Sequence, residues 1–176
     1  MIRAFDLNRG IAMRVIKEDG GINLNIAKLN QKGKCTFAVK LAERASSYIQ
    51  KSCVKSLIGE AIDIAWEWIH TDENAGEVLY NFLDNEENGF TLYQEMEEDE
   101  IEISAWDCII DAIAYVSKAA YEKEGIKYLP EPIEIVDDNI FTHMMQSLIL
   151  CNGMESEYIK DVFYAVYPPG NVTNLM

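Results

Sequence analysis

Residues 97–125 read EEDEIEISAWDCIIDAIAYVSKAAYEKEG. Four acids open the stretch and a glycine closes it. Between them Ile103, Trp106, Ile110, Ile113 and Val116 recur at three- and four-residue steps, and Cys108, Ile109, Ala112 and Ala119 widen the apolar stripe. That period predicts a helix from Ile101 to about Glu124. Glu97, Glu98, Asp99 and Glu100 stand where the macrodipole favours negative charge, and Gly125 is a helix stop. An apolar surface this broad marks the central helix of an all-α fold.

The same period continues in both directions. Phe37, Leu41, Ala45 and Tyr48 share one face of a helix beginning at Gln31, with Ala38, Ala42 and Ile49 beside them. A second helix is expected from about Ser52, with Ser52 as its cap, through Val54, Ile58, Ala61, Ala65 and Trp68. Val78, Leu79, Phe82 and Leu83 mark a third. Turn residues from Asp84 to Gly89 precede a short helix at Phe90–Met96. Beyond Gly125, Pro130 and Pro132 predict an extended connector over Tyr128–Ile135. Two more helices follow, one after Asp137-Asp138 and one from Glu155 to Tyr167, before Pro168-Pro169-Gly170. The expectation is a single all-α domain of six or seven helices over residues 31–167, with a tail at 168–176. Residues 1–30 read as an extension. Ile11, Met13 and Val15, then Ile22, Leu24 and Ile26, alternate on either side of Asp19-Gly20-Gly21. That favours a hairpin slightly over a short helix from Leu7 to Glu18.

Charge is distributed unevenly. The chain has 176 residues and a net charge of −15. Ser56 to Ser117 holds 17 acids and no lysine or arginine. A one-signed field of this extent concentrates and steers basic partners. It argues against nucleic acid or an anionic membrane as a direct ligand. No apolar run reaches membrane-spanning length and no signal peptide is evident. Cys35, Cys53, Cys108 and Cys151 are scattered in apolar contexts, so reduced, buried thiols in a cytoplasmic protein are expected.

Three patterns could hold metal. Asp84, Glu86, Asn88, Gly89 and Glu95 fall at positions 1, 3, 5, 6 and 12 of a calcium loop. Glu86 is long for its position, Thr91 replaces the usual apolar residue, and no second loop exists, so a polar turn is the simpler reading. Glu67 and His70 match half of a di-iron pair, but His143 lacks a matching carboxylate. Glu98, Glu102, Asp107 and Asp111, stacked on the long helix, could hold magnesium for phosphate chemistry. A solvated acidic face explains them more simply. No nucleophilic triad or glycine-rich phosphate loop is present, so no catalytic residue, metal site or cofactor is assigned. Trp66 and Trp106 are expected in the core. Trp68 is left open between core and interface.

Several short stretches resemble immunity-protein family six of bacterial polymorphic toxin systems. They are Ala42-Glu43-Arg44-Ala45, Trp66-Glu67-Trp68, Leu83 to Gly89, Gln94 to Asp99, Ser104 to Asp107, Asp111 to Tyr115, and Tyr128 to Glu134. The resemblance covers roughly residues 31–167. It implies a small helical cytoplasmic protein that binds and neutralises a toxin domain encoded beside it. A basic nuclease fits the acidity, and Glu86, Glu87, Glu97, Glu98, Asp99, Glu100 and Glu102 are the expected contacts. The alternatives are a metal-dependent all-α enzyme acting on phosphate substrates and an acidic helical scaffold.

Overall fold

The computed structural model describes residues 22–167. The expected first hairpin arm, the alternative helix from Leu7 and the tail after Tyr167 lie outside them. Among the described residues there are eight α-helices and no strand: α1 (Gln31–Ser46), α2 (Ser52–Thr71), α3 (Gly76–Leu83), α4 (Phe90–Glu95), α5 (Glu100–Glu124), α6 (Glu131–Glu134), α7 (Ile140–Cys151) and α8 (Glu155–Val166). The expected second hairpin arm is irregular chain leading into one 3-10 turn, Ile26–Lys28. Ile22, Leu24 and Ile26 pack on the core from there. A single extended segment laid on helices shows the same two-residue alternation as a strand, and pattern alone does not separate them.

The long helix is the axle. α5 packs against α1, α3 and α7 above all, and also touches α2, α4 and α6. From Ala105 to Tyr121 nearly every residue is buried, including Asp111 and Ser117. A helix apolar on all sides must be surrounded. Its aromatic packing has two centres. Phe141 meets Phe37 at 5.9 Å and Tyr115 at 4.7 Å. Trp106 meets Phe90 at 5.3 Å and Tyr93 at 6.0 Å. The second centre anchors the six residues of α4, too few to be helical on their own.

Helix ends are satisfied both locally and from afar. Asn30 accepts from Gly33 N at 2.8 Å and caps α1. Ser52 is not the cap of α2; Lys51 holds that position, without a side-chain bond. At the other end of α2, Lys32 Nζ donates to the carbonyls of Trp68 and Ile69 at 3.2 and 2.7 Å and pairs with Asp72. Asp72 has φ 59° there, the left-handed turn that closes helices. The start of α3 is capped by Glu124, whose carboxylate accepts from Ala75 N and Gly76 N at 3.0 and 2.9 Å. Gly76 sits so close to α5 that a Cβ there would stand 2.7 Å from the Tyr121 ring. Asp99 caps α5, and Gly125 ends it at φ 75°.

Three expectations fail locally. The connector at Tyr128–Ile135 contains α6, because Pro132 falls in a first turn, where the missing N–H costs nothing. Cys53 is exposed, since the start of α2 turns that face outward, whereas Cys35, Cys108 and Cys151 are buried. Trp66 is only half-buried; its indole donates to Glu43 at 2.7 Å. Trp68 is a core residue at 2% exposure. No helix among the described residues is long and apolar enough to cross a membrane.

Candidate functional site

The acidic stretch separates into carboxylates that face out and carboxylates that face in. Glu86 and Glu87 are exposed on the α3–α4 loop. Asn85 closes that loop by accepting from Glu87 N at 2.9 Å and Asn88 N at 3.3 Å, which leaves the two glutamates at its outer edge. Glu98, Asp99 and Glu100 are exposed at the start of α5. The side chains of Glu86, Glu87, Glu98 and Glu100 make no hydrogen bond or ion pair among the described residues. Asp99 has a structural duty as well, accepting from Ile101 N and Glu102 N at 2.9 and 3.0 Å.

Two of the expected contact residues turn inward. Glu97 is half-buried, accepts from Glu98 N and Asp99 N at 3.0 and 3.1 Å, and lies 3.8 Å from Lys51. Glu102 is buried and accepts from Gln50 N at 3.2 Å. The structure thus brings 97–102 together at one helix end and leaves Glu86 and Glu87 on a separate loop.

The three metal patterns are engaged otherwise. Asp107 accepts from Gln94 at 2.6 Å, and Asp111 pairs with His143 Nδ1 at 2.5 Å. These are not a solvated face: α5 has no exposed side at this level. Burial raises both carboxyls, Asp111 to about 6. The bond to Asp111 raises His143 in turn. In the α3–α4 loop Asp84 accepts from Tyr80 at 2.7 Å, and Gly89 has φ −65° rather than a left-handed turn. His70 is bonded to Trp66 O at 2.7 Å. Among the described residues no three His, Cys, Asp or Glu side chains converge as metal ligands do. Burial also pushes the thiols of Cys35 and Cys151 up to about 12, and Cys108 well above its ordinary value, so none is a thiolate at neutral pH.

Sequence reasoning missed Glu155. It is 1% exposed and accepts from Arg44 Nε at 2.8 and 2.9 Å and from the Tyr48 hydroxyl. That contact ties the end of α1 to the start of α8. Gln50–Glu102 ties the α1–α2 loop to the start of α5, and Cys151 Sγ lies 3.5 Å from Ile101 O, tying in the end of α7. Four helix termini therefore meet at one end of the bundle, with Glu98, Asp99 and Glu100 at its edge.

Fold and site together define an all-α protein that presents exposed carboxylates on a buttressed helix end. The chain belongs to the immunity protein Imm6 family, whose model matches residues 33–151, about two thirds of its length. Membership implies a toxin protein as partner. The chain is also similar to the translation initiation factor 2 alpha subunits of Thermococcus kodakarensis and Thermococcus gammatolerans. Each is 28% identical over 132 residues, covering 72% of this chain and 47% of the relative. The chain thus spans about half the length of these curated relatives. No solved structure matches it.

Proposed function

We propose that this chain is a cytoplasmic immunity protein that binds a basic toxin domain, of the kind that acts on nucleic acid, and neutralises it without chemistry of its own. The observation that carries this reading is the set of exposed carboxylates at Glu86, Glu87, Glu98, Asp99 and Glu100, on a chain of net charge −15 whose family is one of immunity proteins. Carboxylates spent on folding face inward, as Glu97 and Glu102 do; those left outward form the field a cationic partner meets. Such a field raises association rates and sets orientation more than it raises affinity. Its carboxylates match the Lys and Arg side chains with which a nucleic-acid enzyme holds phosphates.

The test is surface plasmon resonance with the toxin domain encoded beside this chain's gene. Changing Glu86, Glu87, Glu98 and Glu100 to Lys reverses outward charge and breaks no side-chain bond among the described residues. The association rate at low salt should fall by roughly tenfold or more, and its salt dependence should flatten. Unchanged association by a folded variant would refute the acidic-surface reading.

A further inference from the structure

The four meeting helix termini leave apolar side chains in the open. Ile101 is 46% exposed, Leu150 54% and Met154 75%. The Cys151–Ile101 contact brings the end of α7 against the start of α5, so Leu150 lies one residue from that contact and Met154 three. α7 buries Phe141, Met144, Met145, Leu148 and Cys151 on its inner side, and Leu150 lies off that side. Met154 is held in place through its backbone N–H, which donates to the Asn152 side chain at 3.0 Å, while most of its side chain stands in solvent. The start of α5 that borders this patch carries Glu98, Asp99 and Glu100.

We infer that Ile101, Leu150 and Met154 form the anchor of the toxin interface, and that its occupant is a cationic protein segment that places an apolar side chain among them with Lys or Arg on the flanking acids. The inference rests on the immunity reading and says where the affinity resides. Interfaces concentrate their energy in a desolvated apolar centre with a polar rim, and methionine adapts to an incoming shape. The charge of the rim selects the partner. A second copy of this chain would bring Glu98, Asp99 and Glu100 towards their own equivalents, a repulsive arrangement. Met96, 58% exposed, lies in the same acidic run, but the exposed apolar side chains just after α5 do not share this surround. Ile126, Tyr128 and Ile135 sit in sequence among Lys123, Lys127, Glu131 and Glu134, a rim of mixed sign. The anchor also rests on a braced base, because Glu155, Glu102 and Cys151 tie the termini beneath it to α1 and α5. A braced patch loses little freedom on binding.

The experiment measures binding of the toxin domain encoded beside the gene to wild type, to Leu150→Ser/Met154→Ser, and to the control Tyr128→Ser/Ile135→Ser, across a salt series. The anchor double variant should dissociate at least tenfold faster, with the salt dependence of association unchanged; the control should match wild type. Wild-type dissociation in the anchor variant overturns the inference while leaving the immunity reading standing, as does a loss confined to the control. Failure of the wild type to bind removes both. A wild type that is dimeric by light scattering, made monomeric by the anchor substitutions, gives the patch to a second copy and also overturns it. Should Leu150→Ser lower the melting temperature, Met154→Ser alone decides, by the same dissociation criterion.

Discussion

Replacing Trp106 with Ala removes the side chain that joins α4 to the central helix. Trp106 is 1% exposed. Its ring lies 5.3 Å from Phe90 and is nearly parallel to Tyr93, at 5° and 6.0 Å. A buried indole takes roughly 150–250 Å² out of water, worth about 4–6 kcal/mol at 25 cal/mol per Å². That figure is an upper bound, because the unfolded chain already shelters part of the ring. The cavity left behind adds to the loss and local collapse subtracts from it; measured Trp-to-Ala changes in cores fall at about 3–5 kcal/mol. The expected loss is in that range, a large part of the roughly 5–15 kcal/mol that holds a domain folded. Urea unfolding followed by circular dichroism gives the number from the midpoint shift at unchanged slope. Trp106→Phe keeps ring contacts and should lose less. A loss below about 1.5 kcal/mol for the Ala variant would show that α4 does not depend on this ring.

Other expectations follow from the buried polar groups and from one close approach. Asp111 and His143 both bind protons more tightly folded than unfolded, so their contribution is present at low pH and declines as pH rises. For Asp111 the decline runs from the ordinary carboxyl range, roughly 4, to about 6, and for His143 it continues above the ordinary imidazole range. Asp111→Asn removes both effects, so the melting-temperature advantage of wild type over this variant should shrink between pH 5 and pH 8; a constant or growing advantage contradicts the pairing. Gly76→Ala places a methyl 2.7 Å from the Tyr121 ring, whose own backbone N is 3.0 Å away. The clash should destabilise the domain by about 1–3 kcal/mol in urea unfolding, and a neutral result would mean that α3 and α5 are not so closely packed.

The helices were legible because the apolar period is local. Gly125, the acids before Ile101 and the turn at Asp84–Gly89 each announce themselves within a few residues. α6 was not legible, because Pro132 reads as a breaker unless it is known to stand in a first turn. The direction of a carboxylate is not local either. Glu102 finds Gln50, Asp111 finds His143 and Glu155 finds Arg44 across 52, 32 and 111 residues respectively. One signal was available for Asp111. Its neighbours Ile109, Ile110, Ala112 and Ile113 leave α5 no polar side at that level, so a charge there needs a partner from another helix. Of the expected contact set, Glu86, Glu87, Glu98, Asp99 and Glu100 do face outward. Glu97 and Glu102 carry the same charge in the same run, and only distant packing distinguishes them.

That division bears on how so acidic a chain stays folded. A large net charge of one sign opposes compaction through self-repulsion. Here part of the acidity serves the helix junctions. Glu124 supplies the acceptor for the first amides of α3, Asp99 for those of α5, Glu102 for Gln50 after α1, and Glu155 joins α1 to α8. Each such carboxylate exchanges water for backbone amides or a guanidinium, charge-assisted bonds of the stronger kind. Removing one strands N–H groups or a cation, and the loss appears in stability. Removing Glu86, Glu87, Glu98 or Glu100 breaks no side-chain bond among the described residues and reduces repulsion, with some loss of helix-dipole support at Glu98 and Glu100, so on the proposed reading the main loss appears in association with a cation. On that reading, stability and recognition fall to different carboxylates of one sequence run, so charge reversal at Glu98 and Glu100, with stability measured alongside for the lost dipole support, tests binding, while the same change at Glu97 or Glu102 would test the fold instead.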